Sequence, residues 1–169
     1  MASKSYHLII VESPSKATTL KKFLGDKYLV EASVGHIRDL PKSDLGIDPE
    51  NKFKTKYVQT ISKENLKKLK SALKNAGTLY LATDPDREGE AIAWHLVELL
   101  KPSIPIKRLV FHEITKDAIL ESFNNTRDID QDLVNAQETR RVIDRLLGYP
   151  VSNKIWTNVI FGFWKFTNG

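Results

Sequence analysis

Thr78-Leu79-Tyr80-Leu81-Ala82-Thr83 runs directly into Asp84-Pro85-Asp86-Arg87-Glu88-Gly89-Glu90. The first six residues are an apolar run of the length of a buried strand. The next seven open a helix that continues through Ala91 to Leu100, before Pro102 and Pro105 break the chain. The same strand-then-helix pattern stands at the start of the chain. His7–Glu12 reads as a buried strand, Ser13 as the N-cap and Pro14 as the first residue of a helix that ends at Gly25. Further strands are predicted at Tyr28–Val34, Lys56–Thr60 and Lys107–Phe111, and residues 37–51 read as a loop. Leu66, Leu69 and Leu73 fall at helical spacing, with Gly77 predicted to stop that helix. Thr115 begins another helix, and a last one runs from Gln131 to Leu147, with Gly148 and Pro150 predicted to end it. Strands alternating with helices predict an α/β fold with a parallel sheet covered on both faces.

The 169 residues make one domain, or one domain and a fragment of another. Hydrophobic content of 41% and charged content of 28% exclude a disordered chain. No apolar run nears the ~18 residues of a membrane span. The opening MASKSYHLII lacks the apolar stretch of a secretory signal, so a cytoplasmic chain is expected. The absence of cysteine removes disulfide scaffolds, thiolate zinc sites and cysteine nucleophiles together. There is no G-x-x-x-x-G-K-[ST], no G-x-G-x-x-G and no G-x-S-x-G, and the four histidines lack zinc-ligand spacing. The net charge is +5, with an isoelectric point of about 9.3. Between Glu50 and Ala76 stand eight lysines and two acids, which favours a polyanion such as nucleic acid or, equally, a solvated helix face.

Asp84, Asp86 and Glu88 form a D-x-D-x-E cluster at the end of a predicted strand. Ligand sites of open parallel sheets lie at that edge. Three adjacent carboxylates stay ionised most cheaply around a cation, and oxygen donors without His or Cys suit Mg²⁺. Acids also populate helix N-termini because of the dipole, and Glu88 and Glu90 fit that reading too. Glu12 is an acid at the end of another predicted strand, a candidate general acid or base, or a surface partner of Lys16. Lys16, just inside a helix N-terminus, is placed to hold a phosphate with the free backbone N–H groups, or is a solvated lysine. His36, Arg38 and Asp39 follow Gly35. Gln137, Arg141 and Arg145 share one stripe of the last helix, suited to phosphates or to pairing with Glu138 and Asp144.

Five segments together carry a family resemblance. They are Val11-Glu12-Ser13-Pro14-Ser15-Lys16-Ala17, Ser33-Val34-Gly35-His36-Ile37-Arg38-Asp39-Leu40-Pro41, the run from Ala82 to His95, Phe111-His112-Glu113-Ile114-Thr115, and the run from Arg140 to Tyr149. In that order they resemble the N-terminal Toprim domain of bacterial DNA topoisomerase I, a type IA enzyme family, over residues 5–152. The resemblance implies a Rossmann-like four-stranded parallel sheet flanked by helices, with a partial helical extension. Toprim would occupy 1–125, the start of a helical DNA-binding domain 126–152, and an apolar tail that departs from the family 153–169. It implies Mg²⁺ on Asp84, Asp86 and Glu88, with Glu12 a further possible ligand. Glu12 would move the proton at the 3′ oxygen and Lys16 would stabilise the phosphate. His36, Arg108, Arg141 and Arg145 would hold DNA. The implied reaction is ATP-independent breakage, passage and rejoining of single-stranded or negatively supercoiled DNA in the bacterial nucleoid. The family's nucleophilic tyrosine lies in a stretch resembling S-Y-x-R-T-D-S, and none of Tyr6, Tyr28, Tyr57, Tyr80 and Tyr149 has that context. The chain then reads as a truncated or frame-shifted product or a fragment, whose partners would include the missing C-terminal domains. A non-catalytic Mg²⁺- and DNA-binding module or remnant, and a phosphodiesterase using water, are the alternatives.

Overall fold

The computed structural model describes residues 6–155, with side chains to residue 148; the expected tail beyond Ile155 lies outside the described residues. In chain order the elements are β1 (Tyr6–Val11), α1 (Pro14–Phe23), β2 (Tyr28–Ala32), β3 (Arg38–Asp39), β4 (Ile47–Asp48), β5 (Lys54–Thr55), β6 (Val58–Gln59), α2 (Lys63–Lys74), β7 (Ala76–Leu81), α3 (Arg87–Leu100), β8 (Ile106–Arg108), α4 (Lys116–Asn124) and α5 (Gln131–Ile155). They form two compact units. One holds the chain up to Asp39 with Gln59–Gln137; the other holds Leu40–Val58 with the chain from Glu138.

The first unit is built on a four-stranded parallel sheet in the order β2-β1-β7-β8, the architecture expected from the alternation of strands and helices. Strand side chains alternate between faces, and β1 shows the consequence. Leu8 and Ile10 enter one core with Leu69 of α2 and Ile92, Ala93 and Leu96 of α3. Ile9 and Val11 enter the other with Ala17 and Leu20 of α1 and Ile119 of α4. All four β1 side chains are fully buried, which is why that strand reads as an unbroken apolar run. Each helix starts on a side-chain cap: Ser13, Ser62, Asp86, Thr115 and Asp130 accept from a backbone N–H three residues on.

Several boundaries differ from the sequence reading. Gly77 does not stop α2 but lies inside β7. The helix ends at Lys74 with Asn75 as its C-cap, because parallel pairing of Ala76 with Tyr6 claims the following residues for the sheet. The eighth strand is Ile106–Arg108 rather than 107–111. The loop of residues 37–51 contains two short strands, and β4 pairs antiparallel with β5 in the second unit. The last helix continues through Gly148 and Pro150 to Ile155. A glycine costs a helix interior about 1 kcal/mol and a proline about 3, and a 25-residue helix has hydrogen bonds enough to offset both.

Leu96 is fully buried between α3 and the sheet. Leu96→Ala is expected to lower stability by about 2–5 kcal/mol, read as a lower urea midpoint with an unchanged slope.

Candidate functional site

The chain order reverses between β1 and β7, which lie side by side at the centre of the sheet. From β1 the chain steps outward to β2, and from β7 it steps the other way to β8. The crevice beyond the carboxyl ends of those two strands is the ligand-binding position of such sheets. Glu12 follows β1 there, and Asp84 follows β7. They touch: the Asp84 backbone N–H donates to Glu12 Oε2 at 3.1 Å. Lys16 completes the group, its Nζ paired with both Glu12 Oε1 and Asp84 Oδ1. The cap explains its placement. Ser13 accepts from the Lys16 N–H and Pro14 sets the first helical residue, so Lys16 sits one turn on, above Glu12.

The three charges respond differently to this shared arrangement. Burial raises the Glu12 carboxyl above its usual range, aided by the neighbouring Asp84 and opposed by Lys16. Burial would also raise Asp84, but the Lys16 ammonium and the hydrogen bond with Glu12 outweigh it and hold Asp84 low. Lys16 is pushed down by burial and up, by more, by the two carboxylates. Two acids around one ammonium thus divide into a stronger and a weaker one.

Asp86 caps α3, accepting from the Gly89 N–H at 2.7 Å. Gly89 has no room for a side chain: a Cβ would stand 2.1 Å from the Asp84 carbonyl oxygen. That close approach lets the acid-bearing turn fold back onto the helix. Glu88 lies 3.6 Å from His36 Nε2, both side chains more than half exposed. The loop carrying His36 is brought to Glu12 by Gly35, whose backbone is left-handed (φ 79°) and whose N–H donates to the Glu12 carbonyl at 3.2 Å. Among the described residues no three His, Asp or Glu side chains gather as a closed metal cage. Mg²⁺ does not require one, since it keeps several waters and takes one or two carboxylates. The donor set is all oxygen, and a cationic group, the Lys16 ammonium, already rests between two of the acids. In donor chemistry these residues fit Mg²⁺.

Arg108 departs from its expected place on DNA. Its side chain is wholly buried and committed to the protein. Nε and Nη2 donate to Glu90 Oε1 at 3.0 and 2.7 Å, and Nη1 and Nη2 donate to the carbonyls of Leu81, Thr83 and Asp84. Glu90, also wholly buried, takes a further bond from Arg127 Nη2 at 2.6 Å, and its Oε2 accepts from the Asp130 N–H at 3.1 Å. One carboxylate and two guanidinium groups therefore fasten the turn that carries Asp84. Sequence reasoning took Glu90 for an acid at a helix N-terminus and gave Arg127 no role. No local pattern marks a pair joined across 18 residues of chain. Arg141 and Arg145 belong to the second unit, where Arg145 Nη2 donates to the Leu40 carbonyl at 3.4 Å. Asp144 lies 3.7 Å from Arg140.

A second anchor holds the His36 loop. Arg38 Nε donates to His95 Nδ1 at 3.1 Å, and its guanidinium lies 5.1 Å from the centre of the Trp94 ring. Burial first, then the charges of Arg38 and His36, lower the His95 pKa to about 4, with Asp39 opposing. His95 is therefore neutral near pH 7, with Nδ1 accepting and the proton on Nε2.

Two expectations follow. Glu90→Gln or Arg108→Met breaks a buried pair and is expected to cost about 3–5 kcal/mol, seen as a lower melting temperature. The double variant Glu90→Gln/Arg108→Met should recover part of that loss. His95 binds its proton more weakly folded than unfolded. Between pH 6.5 and 4 the unfolded chain therefore holds more protons, and stability falls as pH falls through that window. The His95 share is on the order of 3 kcal/mol. Urea titrations across this range should show a flatter profile in His95→Gln.

A family model described as the Toprim domain matches residues 7–114. The DNA topoisomerase 1 of Streptomyces coelicolor is 56% identical over 167 residues, covering 90% of this chain and 18% of that protein. That of Synechocystis sp. is 51% identical over 170 residues, covering 92% and 19%. The solved structure of full-length topoisomerase I from Thermotoga maritima superposes with a TM-score of 0.79 at 45% identity, over 88% of this chain and 26% of that one. The chain thus spans less than a fifth of the length of the curated relatives it matches. The fold, the family match over most of the described residues and these likenesses lead to one conclusion: the chain belongs to the Toprim domain family.

Proposed function

We propose that this chain supplies the metal and acid–base part of a type IA DNA topoisomerase: an ATP-independent, Mg²⁺-dependent isomerase that breaks single-stranded DNA, passes a strand and reseals the break, relaxing negative supercoils. The observation that carries the reading is the Glu12–Lys16–Asp84 contact at the switch point of the sheet. The names of the relatives, DNA topoisomerase 1, agree with it. Working partners are single-stranded or negatively supercoiled DNA in the bacterial cytoplasm and further topoisomerase domains that carry the nucleophilic tyrosine. Among the described residues no helix is long and apolar enough to cross a membrane.

Asp84, Asp86 and Glu88 would hold Mg²⁺, with Glu12 adjacent. The ion would supply charge neutralisation at the phosphodiester. The remaining chemistry falls to the chain's own residues. Glu12, with its carboxyl pushed upward by burial, is suited to give a proton to the leaving 3′ oxygen and to take it back on resealing. Asp84, held ionised by Lys16, is suited to face a cation throughout. Lys16 keeps its charge and lies one turn into α1, where its ammonium would meet a phosphate oxygen. His36 stands beside Glu88 at the open side of the crevice, placed to touch the DNA strand.

The test is a chimera in which this chain replaces the matching segment of the Streptomyces coelicolor relative. It should relax negatively supercoiled plasmid with Mg²⁺ and leave protein-linked DNA when quenched with denaturant. Glu12→Ala should lower cleavage by at least a hundredfold while the fold is retained. Asp84→Asn and Asp86→Asn should weaken Mg²⁺ binding to the 169-residue chain in calorimetry. Unchanged cleavage in Glu12→Ala, or equal Mg²⁺ affinity in all three proteins, refutes the assignment. Protein-linked DNA formed by the chain alone would place a nucleophilic tyrosine within it and overturn the half-site reading.

A further inference from the structure

The lysine excess between Glu50 and Ala76 is not explained by the crevice. Five of its eight lysines lie on α2, and all five are exposed. Lys63, Lys67, Lys70 and Lys74 recur at i, i+4, i+7 and i+11, which places them within a sector of about 60° on the helix surface. The buried face of α2, with Leu69 and Ala72 inside the core, points elsewhere. Lys68 stands off the stripe and is paired with Glu31 at 2.5 Å. Among the described residues none of the four stripe lysines has an acidic partner, and Glu64 is the only acid on the helix. Four unscreened like charges in a row are a cost to the folded helix. An ordinary solvated surface mixes signs.

The helix that carries the stripe starts near the crevice. α2 begins beside the carboxyl end of β2, where Asn65 Nδ2 donates to the Ser33 carbonyl at 2.9 Å. Ser33 and Gly35 in turn donate to the carbonyls of Val11 and Glu12. A cleft of about 450 Å³ lined by Ser33, Val34, Thr60, Ile61 and Ser62 lies between that loop and the helix start. From there α2 runs along the face of the sheet to its opposite edge, where Tyr6 donates to the Ala72 carbonyl. The four lysines span roughly 16 Å, enough to face several consecutive phosphates of one strand.

We propose that the α2 lysine stripe is a nucleic-acid backbone track. It would hold, through phosphates and without reading bases, the DNA segment that leaves the Glu12–Asp84 crevice past the Ser33–Ser62 cleft. The inference rests on the reading of that crevice as a DNA site. The partner is a polynucleotide rather than an anionic membrane, because α2 starts near the crevice and the apolar residues beside the stripe, Leu66 and Leu73, are packed against the core rather than free to insert into lipid.

The test is binding of a fluorescein-labelled single-stranded oligonucleotide to the full chain between 50 and 200 mM salt. Each phosphate contact contributes about 0.7 to the slope of log affinity against log salt. Changing all four stripe lysines to Gln should lower the slope by about 2–3 and weaken binding at least tenfold at 50 mM salt. Changing all four to Arg should retain both. All these side chains are exposed, so the Gln variant should melt no lower than the unaltered chain by circular dichroism. A slope change below one in the Gln variant, or no binding by the unaltered chain, overturns the proposal. Tighter lysine-dependent binding to phosphatidylserine vesicles than to the oligonucleotide overturns it too, in favour of a membrane surface. The measurement needs no cleavage. Lysine-dependent binding in a chain whose chimera leaves plasmid supercoiled would refute the catalytic reading and leave the track standing.

Discussion

A fully buried carboxylate, Glu90, holds the working edge of this domain together. An ionised acid in the interior is tolerable only when its oxygens are saturated with donors. Glu90 meets Arg108 twice, Arg127 once and the Asp130 N–H. Arg108 spends its remaining donors on the carbonyls of Leu81, Thr83 and Asp84, which form the end of β7 and the turn into α3. The carboxylate therefore joins the central strand, the helix after it, the edge strand β8 and the segment leading to α5. A turn fastened at three carbonyls cannot drift, and the position of Asp84 beside Glu12 follows from it. The requirement that buried charge be paired does the work that a larger apolar core cannot do at an open sheet edge.

Above that foundation the crevice is arranged for unequal acids. Glu12 and Asp84 come from neighbouring strands and share one ammonium, yet burial dominates at Glu12 and the Lys16 charge dominates at Asp84. One group is inclined to hold a proton and the other to stay ionised, a separation of the kind proton-transfer sites exploit. The His36 loop is set independently, by the contact of Arg38 with His95 and Trp94 on α3. α3 thus carries the acid turn at its start and the anchor for the opposing loop two turns later. Its buried stripe of Ala91, Ile92, Ala93 and Leu96 ties both to the sheet.

Much of this was legible in residue order. Apolar runs at His7–Glu12 and Thr78–Thr83 marked strands buried on both faces, and Ser13-Pro14 marked a helix start. Together they placed Glu12 and Asp84 at the ends of two strands. Element ends were less legible. Gly77 reads as a helix stop, yet pairing with β1 draws its neighbourhood into the sheet. Gly148 and Pro150 read as breakers, yet the helix passes both. Local propensities of one to three kcal/mol are small beside a sheet register or a long run of helical hydrogen bonds. Arg108 was misplaced for a similar reason: an arginine at a strand end looks the same on paper whether it meets solvent or a buried Glu90.

The sequence by itself determined the α/β class, the alternation of strands and helices, the caps Ser13 and Thr115 and the membership implied by its motifs. Each of these depends on patterns within a few residues, where backbone geometry and periodicity act directly. Only the tertiary structure decided which strands are neighbours, that Lys16 bridges Glu12 and Asp84, and that Glu90 and Arg108 are scaffold rather than surface. It also decided that, among the described residues, the four stripe lysines of α2 lack an acidic partner and that the helix carrying them starts near the crevice. Those facts arise from burial and from contacts between residues far apart in the chain. The strength of a charge–charge contact depends on distance and on surrounding water, neither of which is written in residue order.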